Sequence, residues 1–124
     1  MYKSENSPLL VKSKAFANRI MKMTRHLYDE HPVFYRSNYN QVNRSGTSVM
    51  ANISESQFAQ SPQDFITKLH IALKEANETL SWLQVLKENQ CLTDQEYNSI
   101  EQDCRELIAM LMSSINTVKK NNNL

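Results

Sequence analysis

Glu75 and Glu78 stand one helical turn apart, and paired carboxylates are the first place to look for acid–base chemistry. Such work needs an environment that drives two pKa values apart, and one turn on an exposed helix face supplies no desolvation. His26, His31 and His70 never fall four apart, and Cys91 and Cys104 have no partner at two to four residues, so no metal-ligand spacing is present. Serines are plentiful, yet none has a histidine and an acid at a spacing that suggests a nucleophile triad. Gly46 is the single glycine, which excludes a dinucleotide-binding fingerprint and a phosphate loop. The expectation is a protein that is not an enzyme and carries no cofactor and no metal.

Two other constellations suit binding. Lys12, Arg19, Lys22 and His26 form one stripe of a helix, with Lys14 and Arg25 on another flank. Such a stripe can neutralise phosphates and make binding salt-dependent. It can equally be a solvated face, and no aromatic side chain interleaves it to stack bases. The second constellation is polar: Gln41, Arg44, Ser48, Asn52 and Glu55 share one face. Arg44 and Glu55 are eleven residues apart, about 16 Å along an axis, too far to pair with each other. Arg44 is therefore expected to pair with Glu75 or Glu78, across a helix pair or a subunit interface. The competing reading is again a solvated face.

The elements that must position these residues follow from composition and start signals. One glycine and three prolines in 124 residues leave little for turns, where average usage would give roughly 12% of the two together. A few long helices are the expected answer, in one domain spanning 1–124. Ser7-Pro8 caps and opens a first helix over about 8–30, with Leu9, Phe16, Ile20, Met23 and Leu27 at heptad spacing. Pro32 stops it by disfavouring helical backbone at His31. A second helix, about 37–58, carries Val42, Gly46, Val49 and Ile53, which puts the lone glycine inside the seam, where two helices approach closely. Ser61-Pro62 opens a third, about 62–89, with Phe65, Leu69, Ala72, Leu73, Ala76, Leu80 and Leu83. Thr93-Asp94-Gln95-Glu96 is a capping box for a fourth, about 94–119, with Tyr97, Ile100, Cys104, Leu107, Leu111 and Val118. Residues 120–124 are expected to fray. Short links make neighbours antiparallel, so the fold expected is all-α, an antiparallel up-down-up-down four-helix bundle.

Apolar residues also lie off the seams. Ile71, Trp82 and Val85 fall opposite the core stripe of the third helix, and Leu10, Ala17, Met21 and Tyr28 form a weaker second face on the first. A wide core stripe would absorb some of them. A tryptophan opposite the core is better explained by self-association through Ile71, Glu75, Glu78, Trp82 and Val85. Residues 1–62 carry eight Lys/Arg against four Asp/Glu, and 63–124 six against nine, so the halves are +4 and −3. The isoelectric point of 7.8 is below the value above about 9 usual for a nucleic-acid module. Two cysteines without a secretory leader read as reduced and structural. With no bilayer-spanning apolar run, a cytoplasmic location and no membrane partner are expected.

The run Gln41-Val42-Asn43-Arg44-Ser45-Gly46-Thr47-Ser48-Val49-Met50-Ala51-Asn52-Ile53-Ser54-Glu55 resembles the signature of a bacterial four-helix-bundle family. So does Asp64-Phe65-Ile66 followed by Ile71-Ala72-Leu73-Lys74-Glu75-Ala76-Asn77-Glu78-Thr79-Leu80-Ser81-Trp82-Leu83. The family was first noticed as proteins encoded in intervening sequences of 23S ribosomal RNA genes. The resemblance covers about residues 10–118. A glycine often follows the acid of the first motif, where Ser56 stands here. The resemblance implies an antiparallel four-helix bundle that assembles as a homopentamer. It also points to a relative, the accessory protein of diversity-generating retroelements, a pentamer that binds nucleic acid and the element's reverse transcriptase. The leading expectation is thus a homo-oligomeric scaffold accessory to RNA, DNA or a nucleic-acid enzyme, with Lys12, Arg19, Lys22, Arg25 and Arg44 as phosphate-binding candidates. The alternative is a protein-interaction scaffold without nucleic acid.

Overall fold

The computed structural model describes residues 7–31 and 33–124. Its elements are α1 (Pro8–Glu30), a 3-10 turn (Val33–Tyr35), α2 (Arg36–Ser56), α3 (Pro62–Glu88) and α4 (Asp94–Asn121). Successive helices pack on one another and α4 returns to α1, giving an all-α, antiparallel up-down-up-down bundle. The α1–α4 seam is the lightest of the four.

Three helix starts are built as local chemistry dictates. The Ser7 hydroxyl accepts from the Leu10 amide at 3.3 Å and the Ser61 hydroxyl from the Asp64 amide at 3.0 Å, each with proline in the first turn. Thr93 and Glu96 form the reciprocal box, with bonds of 3.1 and 2.8 Å. Each cap satisfies amides that the helix itself cannot. α2 starts differently, from the 3-10 turn with no side-chain cap. It begins at Arg36 and ends at Ser56, not at 37 and 58. Beyond Ile53 the backbone bonds tighten to three-residue steps, Gln57 to Ser54 and Phe58 to Glu55, which closes the helix early. At the end of α1, the His31 amide donates to Leu27 before the chain turns extended. Pro32, the expected stop, lies outside the described residues.

The C-terminal residues, where fraying is expected, are placed against the end of α4. α4 runs to Asn121, Asn123 adopts φ 55°, and the Leu124 amide donates back to the Lys119 carbonyl at 2.9 Å. α3 ends the same way: Gln90 at φ 64° brings the Cys91 amide to the Leu86 carbonyl at 2.8 Å, with both side chains buried. This closure satisfies carbonyls that would otherwise be left open and is usually made with glycine.

The seams meet as one core of Phe16, Ile20, Leu27, Val42, Val49, Ile53, Leu69, Leu83, Leu107 and Leu111, all fully buried. Each large aliphatic side chain so placed contributes roughly 1.5–3 kcal/mol. Leu10 and Ala17, set on a second face of α1, belong to this core; Met21 from the same face is exposed. Leu73 and Leu80, assigned to the α3 seam, are only partly buried, whereas Ile115 of α4, absent from the expected seam, is core. Gly46 sits where α2 crosses α1. A Cβ there would lie 2.9 Å from both Cγ1 and Cγ2 of Ile20, closer than side-chain carbons approach one another.

Candidate functional site

On the outer side of the α2–α3 pair the two motif segments converge on Arg44. Positions 41, 44, 48, 52 and 55 advance by three or four residues, which keeps them on one face of α2. The antiparallel register of α3 sets Glu75, Glu78 and Trp82 opposite the first two. The Arg44 guanidinium bridges both acids: Nη1 donates to Glu75 Oε2 at 3.2 Å and Nη2 to Glu78 Oε2. Nε donates to Gln41 Oε1 at 3.3 Å, and the Trp82 indole N–H donates to Glu78 Oε2 at 3.1 Å. Beneath this network, buried Thr79 donates to Ser45 Oγ at 2.8 Å and links the two helices a second time.

Its electrostatics follow from that geometry. The hydrogen bond from Arg44 is the main reason the Glu78 carboxyl is held below the usual carboxylate range, and the Trp82 N–H adds to it. Both acids accept hydrogen bonds from one cation, so the pair clamps α2 to α3. Glu75 is mostly covered, with 15% of its side chain exposed, against 46% for Arg44. Trp82 is half-buried and packs against its own core, so its indole is partly covered within one chain. Ile71 and Val85 flank the network and are exposed, at 38% and 41%. The rest of the α2 stripe is used otherwise. Asn52 donates to the Ser48 carbonyl within its own helix at 2.9 Å, and Glu55 takes Lys68 of α3 at 3.1 Å. Ser56 is buried, its hydroxyl donating to Ile53 at 2.6 Å.

The basic stripe of α1 divides in two. Lys12 Nζ pairs with Glu106 at 2.5 Å, and Arg19 with Asp103, both across the α1–α4 seam. Arg19 also donates to the Ser99 hydroxyl at 2.9 Å. Lys14, Lys22 and Arg25 are exposed and make no ion pair among the described residues. Of the five phosphate-binding candidates, three are held by carboxylates of the same chain, and Lys22 and Arg25 stand free of any such partner among the described residues. Beside them lies a groove of about 290 Å³ between α1 and α4, lined by Arg19, Lys22, Met23, His26, Leu92, Glu96 and Ile100.

Both cysteines are free and buried, and burial pushes the Cys104 thiol up to about 12. Tyr39 is fully buried beside Cys91, and burial likewise raises it to about 12. Among the described residues no group of three His, Cys, Asp or Glu could hold a metal ion. No helix among them is long and apolar enough to cross a membrane.

The sequence reading missed the Ser45–Thr79 bond and the capture of Lys12 and Arg19 by α4. The first had a local signal, since Ser45 and Thr79 fall on core-facing positions. The second had none, because cross-helix pairing depends on how α1 and α4 are set along each other.

An antiparallel four-helix bundle with a cross-helix arginine clamp on one outer face is the class these features define. The family model described as 23S rRNA-intervening sequence protein matches residues 5–113. The chain belongs to that family. It is also similar to a solved structure from Bacteroides thetaiotaomicron, described as a protein with unknown function from the S23 ribosomal protein family. That similarity runs at 44% identity with a TM-score of 0.81, over 86% of this chain and 97% of the other. No curated protein matches this chain.

Proposed function

We propose that the protein is a non-catalytic homo-oligomeric scaffold, a pentamer of bundles set side by side, that serves as an accessory to nucleic acid or to a nucleic-acid enzyme. The observation that carries the oligomeric part is the outer face of α3. Ile71 and Val85 lie in the open on either side of the clamped Glu75, Glu78 and half-covered Trp82, and apolar groups grouped on a polar helix face favour a protein partner. The resemblance to the accessory protein of diversity-generating retroelements supports nucleic acid as a ligand. It also supports a reverse transcriptase as partner where the gene lies in such an element. A cytoplasmic location is part of the same reading.

Mass measurement in solution tests the assembly: a monomer at tens of micromolar contradicts it. A salt-dependent gel shift of labelled RNA or DNA tests the ligand, and no shift at about 50 mM salt, where phosphate contacts are strongest, rejects it. A second reading drops the nucleic acid and keeps a protein-interaction scaffold. It is favoured by one finding, that Lys12, Arg19 and Arg44 already have carboxylate partners.

A further inference from the structure

The division of the α1 stripe points to a control built into the same surface. We infer that Asp103 and Glu106 of α4 hold Arg19 and Lys12 away from phosphate, so that α4 sets how strongly α1 grips a nucleic-acid backbone. The inference rests on the nucleic-acid reading given above.

Arg19 and Lys12 lie two helical turns apart on the edge of α1 that faces α4, and each meets one acid there. Three Arg19 N–H donors are taken by Asp103 and by Ser99, the latter through its hydroxyl at 2.9 Å and its carbonyl at 3.4 Å. Lys12 meets a Glu106 carboxylate that also accepts from Gln102 at 3.3 Å, and Lys12 is the main reason this carboxyl is held below its usual range. Both pairs are half-exposed, with side-chain exposures between 31% and 44%. A pair so exposed is screened by water and weak, so a polyanion can compete with it. The carboxylates themselves repel phosphate from the same edge. Lys14, Lys22 and Arg25 remain as the resting phosphate contacts, and Lys22 borders the α1–α4 groove beside Arg19. An approaching backbone would meet these three cations first and gain two more only by displacing the acids.

The test compares wild type, D103N/E106Q and the control E30Q/E88Q in gel shifts of a labelled 20-nucleotide RNA and a 20-base-pair DNA, from about 50 to 200 mM salt. The control removes two acids that make no ion pair among the described residues, so it adds equal charge without freeing a cation. D103N/E106Q is expected to bind on the order of tenfold more tightly at low salt. Its log–log salt slope on the duplex should steepen by up to about 1.8, the value for two more neutralised phosphates. E30Q/E88Q should leave the slope unchanged. If wild type binds and D103N/E106Q shows the same affinity and slope, or only the gain the control also shows, the inference is overturned while the nucleic-acid reading stands. Binding by D103N/E106Q alone supports the inference. Absence of binding by all three proteins overturns both.

Discussion

At Gly46 the missing side chain is a packing requirement. A β-carbon would press on two branches of Ile20 at once, so the gain of about 1 kcal/mol that alanine offers a helix interior is outweighed by overpacking, typically 1–3 kcal/mol. Gly46→Ala is expected to lower unfolding free energy by about 1 kcal/mol and Gly46→Leu by about 3 kcal/mol. Ile20→Ala, which removes both contacting carbons, should cancel part of the Gly46→Ala loss in a double-mutant cycle; strict additivity in denaturant melts would place the contact elsewhere. Cys104 gives a pH signature. Its folded thiol titrates near 12 against an ordinary value of 9.0, so the unfolded chain loses this proton first as pH rises. Stability is full below about pH 9 and falls toward pH 12 by about 1.4 kcal/mol per pH unit for this group. Urea melts at pH 8 and pH 10 check the sign, and Cys104→Ala should flatten the alkaline slope. Gly46 was legible in the sequence because a lone glycine between Val42 and Val49 in a heptad seam marks a close approach of two helices. The full burial of Tyr39 was not, since no local pattern distinguishes a buried phenol from a half-exposed one.

Helix ends show how far local signals carry. Ser7-Pro8, Ser61-Pro62 and the Thr93–Glu96 box each specify a start without tertiary help, and the observed starts of α1, α3 and α4 coincide with them. The uncapped start of α2 carries no such signal and is set by the turn at Val33–Tyr35. The C-terminal closures at Gln90 and Asn123 were hidden for the opposite reason: the motif is recognised by glycine, and this chain makes it without one. Left-handed backbone at a residue with a Cβ costs roughly 1–2 kcal/mol. Gln90→Gly is therefore expected to raise stability by about 0.5–1 kcal/mol, read as a higher urea midpoint at unchanged slope. A lower midpoint would mean that the Gln90 side chain contributes more than its backbone strain removes. In the candidate site, the Arg44 pairing was legible because seams fix which faces of α2 and α3 meet, while the light α1–α4 seam left the partners of Lys12 and Arg19 undetermined.

Over the whole molecule, charge and apolar surface are distributed unevenly. Basic side chains line α1, Glu75, Glu78, Asp103 and Glu106 clamp neighbouring helices, and the outer face of α3 is left with Ile71 and Val85 in the open. If that face joins copies of the chain, Ile71→Asp with Val85→Asp should leave the bundle's helicity and melting intact while converting the assembly to monomers by solution mass. An unchanged mass would move the interface to another surface. Trp82 adds a practical property to the same face. It is the only indole of the chain, half-buried at the flank of the clamp, with its N–H fixed on a carboxylate oxygen. Its fluorescence therefore comes from one known place, and if copies of the chain join across this face its emission maximum should move to the red on dilution, a label-free readout written into the sequence; an unmoved maximum would place any interface elsewhere.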